Sequence, residues 1–166
     1  VHIAHISVPE AVDVVQRAKN KIKITCGVTP HHLIFNLHKM EEPNGLLYKI
    51  NPPLRSESMR ITMLEYLDKG KIDWVETDHA PHTLEEKLNI PYMSGIPGLQ
   101  FYPKFITWLQ KTLGFTSQKI QNITFNNIKR AYNINLQPRQ TKLYVQAINE
   151  LGKEYQFDPF KDFSTS

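Results

Sequence analysis

Three short β-rich runs, each followed by a crossover, constrain the fold of this 166-residue chain most strongly. The runs cover residues 1–8, 21–28 and 72–77. Apolar residues at helical spacing follow the first run from Pro9 onward and precede the third run as far as Gly70. Strands joined by crossovers of this kind lie parallel, so the pattern predicts an α/β fold with a parallel sheet.

Composition narrows the class of protein. The formal charge of +4 is spread along the chain, and no basic cluster with interleaved aromatic residues occurs, so we expect no nucleic-acid partner. No apolar run approaches the roughly 18 residues of a membrane span, so we expect no membrane association. A single cysteine, Cys26, excludes an internal disulfide and is typical of a reducing compartment, which predicts a cytoplasmic protein.

The second half of the chain continues with helices and ends differently. Apolar residues between Tyr102 and Leu113 predict one helix, ended by Gly114, and a further helix is expected within residues 117–132. Residues 141–148 and 154–157 have the composition of a hairpin or of edge strands. We therefore predict two parts, an α/β unit over residues 1–137 and a segment of an appended β-region over residues 138–166.

Polar side chains follow each predicted strand. His5 lies near the end of the first run. The second run leads into TPHH at residues 29–32, and the third leads into TDHAPH at residues 77–82. The carboxyl ends of parallel strands share one edge of a sheet, and imidazole and carboxylate groups that meet there suit a zinc ion and metal-assisted hydrolysis. Other interpretations stay open: Asp78 or Thr83 could cap a helix, His31 and His32 could be a packing pair, and the isolated His38 is expected at the surface.

Five motifs in order make the chain similar to a known family. They are VHIAHIS at residues 1–7, VTPHHL at 28–33, KINPPLR at 49–55, TDHAPHT at 77–83 with EEK at 85–87, and SGIPGL at 94–99. Together they resemble successive motifs of the dihydroorotases, which are cyclic amidohydrolases of the amidohydrolase superfamily. The match covers about the first two thirds of the chain and corresponds to the C-terminal part of a full-length enzyme.

The resemblance implies a fold, a reaction and a metal. It implies the C-terminal portion of a (β/α)8 TIM barrel, strands six to eight, and an enzyme that interconverts L-dihydroorotate and N-carbamoyl-L-aspartate in pyrimidine biosynthesis. The full-length active site of such an enzyme holds two zinc ions. His5 would then bind the more exposed zinc, and Asp78 would bind the other zinc and act as the catalytic general acid and base.

Substrate contacts follow from the same motifs. Asn51 and His82 match positions that hold the substrate carboxylate, and the backbone of Ser94 and Gly95 would line the pocket. The remaining histidines of the motifs are expected to support the metal ligands without binding metal; they are His31, His32 and His79.

Two departures and one absence qualify the resemblance. Glu76 replaces the small residue usual in the family, and a carboxylate inside a barrel needs a partner or must be protonated. Ala4 and Gly27 replace ligands of an additional zinc that some animal enzymes have, so no such zinc is expected. The remaining metal ligands of the family precede its sixth strand, so we expect residues 1–166 alone to be inactive.

Competing functions and partners stay open at the level of sequence. The nearest alternatives are dihydropyrimidinase or hydantoinase and allantoinase, which share the barrel and the opening of a cyclic amide. A different class is a non-catalytic homologue that serves assembly, for which Glu76 is the only hint. The expected partners are a small-molecule substrate, a second copy of the chain in a homodimer, and aspartate transcarbamoylase.

Overall fold

A three-stranded parallel sheet organises the molecule, whose computed structural model describes residues 1–137 and 155–164. Its strands, in the spatial order β1-β2-β3, are β1 (His2–Ile3), β2 (Thr25–Val28) and β3 (Trp74–Val75). His2 lies opposite Thr25 and Gly27 opposite Trp74. The prediction of a parallel α/β sheet is confirmed. The strands are shorter than predicted, because the backbone turns out of the ladder soon after β1 and β3.

Seven α-helices connect and cover the strands in the described part of the chain. They are α1 (Pro9–Ala18), α2 (Pro30–Ile34), α3 (Glu57–Asp68), α4 (Leu84–Leu88), α5 (Tyr102–Lys111), α6 (Ser117–Gln121) and α7 (Asn127–Tyr132). Short 3-10 helices lie at Leu37–Met40 and Gly45–Tyr48, and a π-helical turn at Asn122–Asn126 joins α6 to α7. The helix predicted within residues 117–132 is therefore one continuous helical segment with a π turn in its middle.

Two helices differ from what the sequence predicts. Helix α5 ends at Lys111, so Leu113 is not part of its apolar face and is exposed. Helix α2 was not predicted, because Thr29-Pro30 was interpreted only as a strand end. In the structure Thr29 is the N-cap, its hydroxyl accepts the amide hydrogen of His32, and Pro30 occupies the first turn.

The hydrophobic core lies between the sheet and the helices packed on it. Helix α1 contributes Val12 and Val15, and α3 contributes Met63 and Leu67, whereas Val14 points to solvent. A second part of the same core surrounds α5, whose Phe105 is fully buried. These side chains fix the sheet from which the polar strand ends project.

The C-terminal segment packs against the α/β core. Residues 155–164 form turns and bends, so residues 155–157 are not the edge strand expected there; residue 154 and the strand predicted at residues 141–148 lie outside the described residues. Phe160 stacks on Phe101 with ring centroids 3.8 Å apart and also contacts Phe35. Within the described residues, no helix is long and apolar enough to cross a membrane.

Candidate active site

Both predicted metal ligands lie where a strand ends in an unusual backbone conformation. His5 follows β1 with φ 40° and Asp78 follows β3 with φ 44°. This left-handed region is sterically unfavourable for residues with a Cβ atom and is concentrated at functional sites. The turn points each side chain to the carboxyl edge of the sheet, where parallel α/β folds gather their reactive groups.

His5 has a ring nitrogen that is buried and available. Its Nδ1 atom has no hydrogen-bond partner. Its backbone is held firmly, because the amide N–H donates to the carboxylate of Glu76 and the next amide, of Ile6, donates to the Gly27 carbonyl at 2.8 Å. A fixed backbone with an unpartnered imidazole nitrogen is the arrangement expected of a metal ligand before the metal is added.

Asp78 is half-buried and lies among the site histidines. Burial raises the pKa of its carboxyl group, the charge of His5 lowers that pKa, and the charge of Glu76 raises it. These interactions place His5, Glu76 and Asp78 in one electrostatic neighbourhood. One oxygen of Asp78 lies 3.7 Å from Nε2 of His31, too far for a direct hydrogen bond.

Glu76 does have partners, as a carboxylate at this place requires. Its Oε2 atom accepts from Nε2 of His2 at 3.1 Å and from the indole N–H of Trp74 at 3.3 Å, while Oε1 accepts from the amide of His5. The His2 ring also stacks on Trp74, with centroids 4.1 Å apart. The Glu76 side chain therefore links β1 to β3, and its backbone amide donates to the Val28 carbonyl of β2 at 2.9 Å, so its charge is compensated.

The other motif histidines differ in what they contact. His32 bridges the hydroxyl of Thr29 at 2.7 Å and the carbonyl of Pro52 at 2.9 Å, and burial lowers its pKa to about 4. Its neutral ring therefore ties α2 to the turn that carries Asn51. His31 is 1% exposed, both of its ring nitrogens are unpartnered, and burial holds its pKa well below the ordinary range.

His79 holds a loop. Its Nδ1 atom accepts the amide hydrogens of Gly98 and Leu99, each at 3.2 Å, which leaves the ring proton on Nε2. Nε2 lies 3.0 Å from the hydroxyl of Tyr155, so it donates to that oxygen. Tyr155 belongs to the C-terminal segment and was not singled out from the sequence, because nothing local to it indicates a contact 76 residues away.

The four predicted substrate contacts lie in three segments that are separate in the sequence. Asn51 is exposed, and His82 lies 3.4 Å from Glu86 through Nδ1. Gly95 has φ 138°, and a Cβ atom there would meet the Ala80 carbonyl at 2.6 Å and the His82 ring at 3.2 Å. The loop of Ser94 and Gly95 therefore contacts the segment of His82 directly.

The structure also shows the surroundings of Thr83, His38 and Lys87. Thr83 is the N-cap of α4 in a full capping box with Glu86, so Thr83 and not Asp78 caps a helix. His38 is at the surface, paired with Glu41. Lys87, the lysine of the EEK motif, is fully buried, although the charge of a lysine favours exposure.

The described residues suit part of a metal site. No group of three or more histidine, cysteine, aspartate or glutamate side chains within residues 1–137 and 155–164 is placed to hold a metal ion. The unpartnered nitrogen of His5 and the carboxylate of Asp78 are donors that zinc prefers, but a protein zinc site needs about three such ligands. The two residues fit the metal only if other ligands join them.

Sequence comparisons reveal relatives over most of the chain. No protein-family model matches it. The dihydroorotase of Fusobacterium nucleatum is 35% identical over an alignment 167 residues long, which covers 95% of this chain and 38% of the relative. The dihydroorotase of Listeria monocytogenes is 43% identical over 124 residues, or 72% of this chain and 29% of the relative. The chain thus spans well under half the length of these curated relatives.

Comparisons of structure identify the fold. An L-hydantoinase (dihydropyrimidinase) from Arthrobacter aurescens matches 82% of this chain and 32% of its own, with TM-score 0.73 and 23% identity. A dihydroorotase from Saccharomyces cerevisiae, in complex with 5-fluoroorotic acid, matches 81% of this chain and 38% of its own, with TM-score 0.65 and 13% identity. The chain therefore has the fold of the corresponding part of these two enzymes.

Proposed function

Because this chain is homologous to the dihydroorotases over most of its length, we propose that the protein to which it belongs is a metal-dependent cyclic amidohydrolase. Its reaction is the interconversion of L-dihydroorotate and N-carbamoyl-L-aspartate in pyrimidine biosynthesis. The observation that carries this proposal is that His5 and Asp78 both lie in left-handed turns at strand ends of one parallel sheet, within motifs that resemble those of the dihydroorotases.

Zinc is the proposed cofactor, with two ions in the complete site. When bound, zinc polarises a carbonyl group and supplies hydroxide at neutral pH. His5 and Asp78 are the ligands that this chain would contribute. The other ligands would come from segments not included in residues 1–166, so we expect these residues alone to be inactive.

Asp78 is proposed as the group that moves the proton. Ring opening of dihydroorotate breaks an amide C–N bond, so the attacking water loses a proton and the departing nitrogen gains one. A carboxylate placed beside the metal can perform both transfers, first as a base and then as an acid. Its half-buried position raises its pKa, which favours the second step.

The substrate carboxylate would be held by three segments, those of Asn51, of His82, and of Ser94 and Gly95. Asn51 supplies an amide donor, His82 an imidazole, and the backbone of Ser94 and Gly95 completes the pocket. His31, His32 and His79 support this site through the contacts described above. Glu76 does not favour a non-catalytic homologue, because His2, Trp74 and the amide of His5 donate hydrogen bonds that compensate its carboxylate.

Architecture and assembly form the remaining part of the proposal. We assign β1, β2 and β3 to strands six, seven and eight of a (β/α)8 barrel, residues 1–137 to that barrel and residues 138–166 to an appended region.

The protein is proposed to be cytoplasmic, which suits the buried, unpaired Cys26. A homodimer and an association with aspartate transcarbamoylase are further predictions, tested by light scattering of the complete protein alone and in a mixture.

A substrate panel tests the function. The complete protein, loaded with zinc, is assayed with dihydroorotate, dihydrouracil, hydantoin and allantoin. The proposal requires dihydroorotate to have the highest kcat/KM. Preference for dihydrouracil or hydantoin would identify a dihydropyrimidinase instead, and preference for allantoin would identify an allantoinase.

A further inference from the structure

Lys87 is a buried lysine whose ammonium group binds two backbone carbonyl oxygens. The side chain is 2% exposed. Its Nζ atom donates to the carbonyl of Lys49 at 2.9 Å and to the carbonyl of Gly95 at 2.8 Å. No carboxylate forms an ion pair with it within residues 1–137 and 155–164. The charge is therefore stabilised by carbonyl dipoles belonging to two separate loops.

These two loops are the ones that carry the proposed substrate contacts. The Lys49 carbonyl also accepts the amide hydrogen of Gly95 at 3.0 Å, so both loops and the ammonium close one hydrogen-bonded junction. Asn51 lies two residues after Lys49, and Ser94 immediately precedes Gly95. A displacement of this junction would therefore move both the Asn51 loop and the Ser94–Gly95 loop.

His82, the remaining proposed substrate contact, directly precedes the helix that carries Lys87. Lys87 lies in α4, which begins at the capping box of Thr83 directly after His82. Gly95 in turn packs against Ala80 and the ring of His82. The helix that carries Lys87 therefore links the histidine of the pocket to both loops.

An ammonium is an expensive group to bury for packing alone. Burial lowers the pKa of Lys87 to about 8, with a smaller contribution from the charge of Lys49. A methionine of similar length would fill the same space without that desolvation cost, but it would bind neither carbonyl. The specific contribution of the lysine is the orientation of the two loops.

We propose that Lys87 is a positioning residue for the substrate-carboxylate pocket, holding the Asn51 and Ser94–Gly95 loops at the spacing that the carboxylate requires. The proposal rests on the proposed function, because it takes the carboxylate as the group that the pocket binds. Lys87 itself does not touch the substrate. Its loss should weaken the binding of carboxylate-bearing substrates and leave the chemical step intact.

The test compares Lys87→Met and Lys87→Gln with the wild-type complete protein. Lys111→Met is the matched control, since Lys111 is an exposed lysine at the end of α5. We expect KM for dihydroorotate to rise about tenfold or more in both Lys87 variants, with kcat within about twofold and zinc content unchanged. Turnover of dihydrouracil, which lacks the carboxylate, should not change, and the Gly95 amide should exchange its hydrogen faster.

Several results would overturn the proposal. An unchanged KM together with unchanged hydrogen exchange would show that Lys87 does not hold the loops. A fall in kcat and in zinc content would assign it to the metal site, and failure of both variants to fold would assign it to general stability. If the zinc-loaded wild type prefers dihydrouracil, the proposed function fails by itself, and hydrogen exchange still reports whether Lys87 anchors the loops.

Discussion

Gly27 and Glu76 form a pair whose coupling can be measured. A Cβ atom at Gly27 would lie 2.7 Å from the carboxyl carbon of Glu76 and 2.7 and 2.8 Å from its oxygens. Carbon atoms in favourable contact are about 3.5–4.0 Å apart, so a methyl group there must displace the carboxylate by about 1 Å. Gly27→Ala is therefore expected to destabilise the protein through Glu76.

The magnitude follows from what the carboxylate would lose. It accepts hydrogen bonds from His2, Trp74 and the amide of His5, and a displacement of this size weakens all three. Hydrogen bonds to a charged group contribute about 1.5–3 kcal/mol each, and the partial exposure of Glu76 reduces that value. A loss of about 2–4 kcal/mol in the free energy of unfolding is expected for Gly27→Ala, and less than about 1 kcal/mol when Glu76 is already alanine.

Urea denaturation of the complete protein provides the assay. The wild type, Gly27→Ala, Glu76→Ala and the double variant form a double-mutant cycle, with the urea midpoint compared at unchanged slope. The coupling should exceed about 1 kcal/mol, with the double variant more stable than the sum of the two single changes predicts. Additive effects of the two substitutions would refute the contact between Gly27 and Glu76.

Three further predictions concern stability. Thr83→Ala removes the N-cap of α4 and should lower the free energy of unfolding by about 1 kcal/mol in urea denaturation; no change would contradict the capping box. Phe105→Ala, at a fully buried position, should lower it by about 3–5 kcal/mol, and a loss below 1 kcal/mol would mean that the α5 core is not packed as described. Burial lowers the pKa of Lys87 to about 8 in the folded state, against an ordinary 10.5. Between these two pH values the unfolded chain binds more protons than the folded chain. The free energy of unfolding should therefore rise with pH across that window. The gain is about 3 kcal/mol and should be absent from the pH profile of Lys87→Met; parallel profiles for the two proteins would refute the shift.

The sheet and the strand ends could be predicted from the sequence because their signals are local. Strand composition, crossover lengths and the polar residues after each strand are all contiguous in the chain. The left-handed backbone of His5 and Asp78 could not be predicted, since neither residue is a glycine and no local pattern requires a positive φ there. The same turns shorten β1 and β3 relative to the predicted strands.

Contacts between distant segments account for most of what the sequence did not reveal. Glu76 could be recognised as unusual, but its partner His2 lies 74 residues earlier, on another strand. The burial of Lys87 was not foreseen, because a charged residue between exposed neighbours in a short helix is normally solvated. Helix α2 could not be distinguished from a strand end, because Thr29 directly follows β2 and is also the N-cap of the helix.

The central claim is that Asp78 serves a zinc-dependent opening of the dihydroorotate ring. The most direct measurement is the zinc content and dihydroorotate hydrolysis of the complete protein, with Asp78→Ala as the comparison. We predict about two zinc ions per chain in the wild type and loss of hydrolysis by at least about a thousandfold in the variant. A folded wild-type protein without bound zinc or activity, or an Asp78→Ala variant that hydrolyses dihydroorotate at the wild-type rate, would contradict the claim.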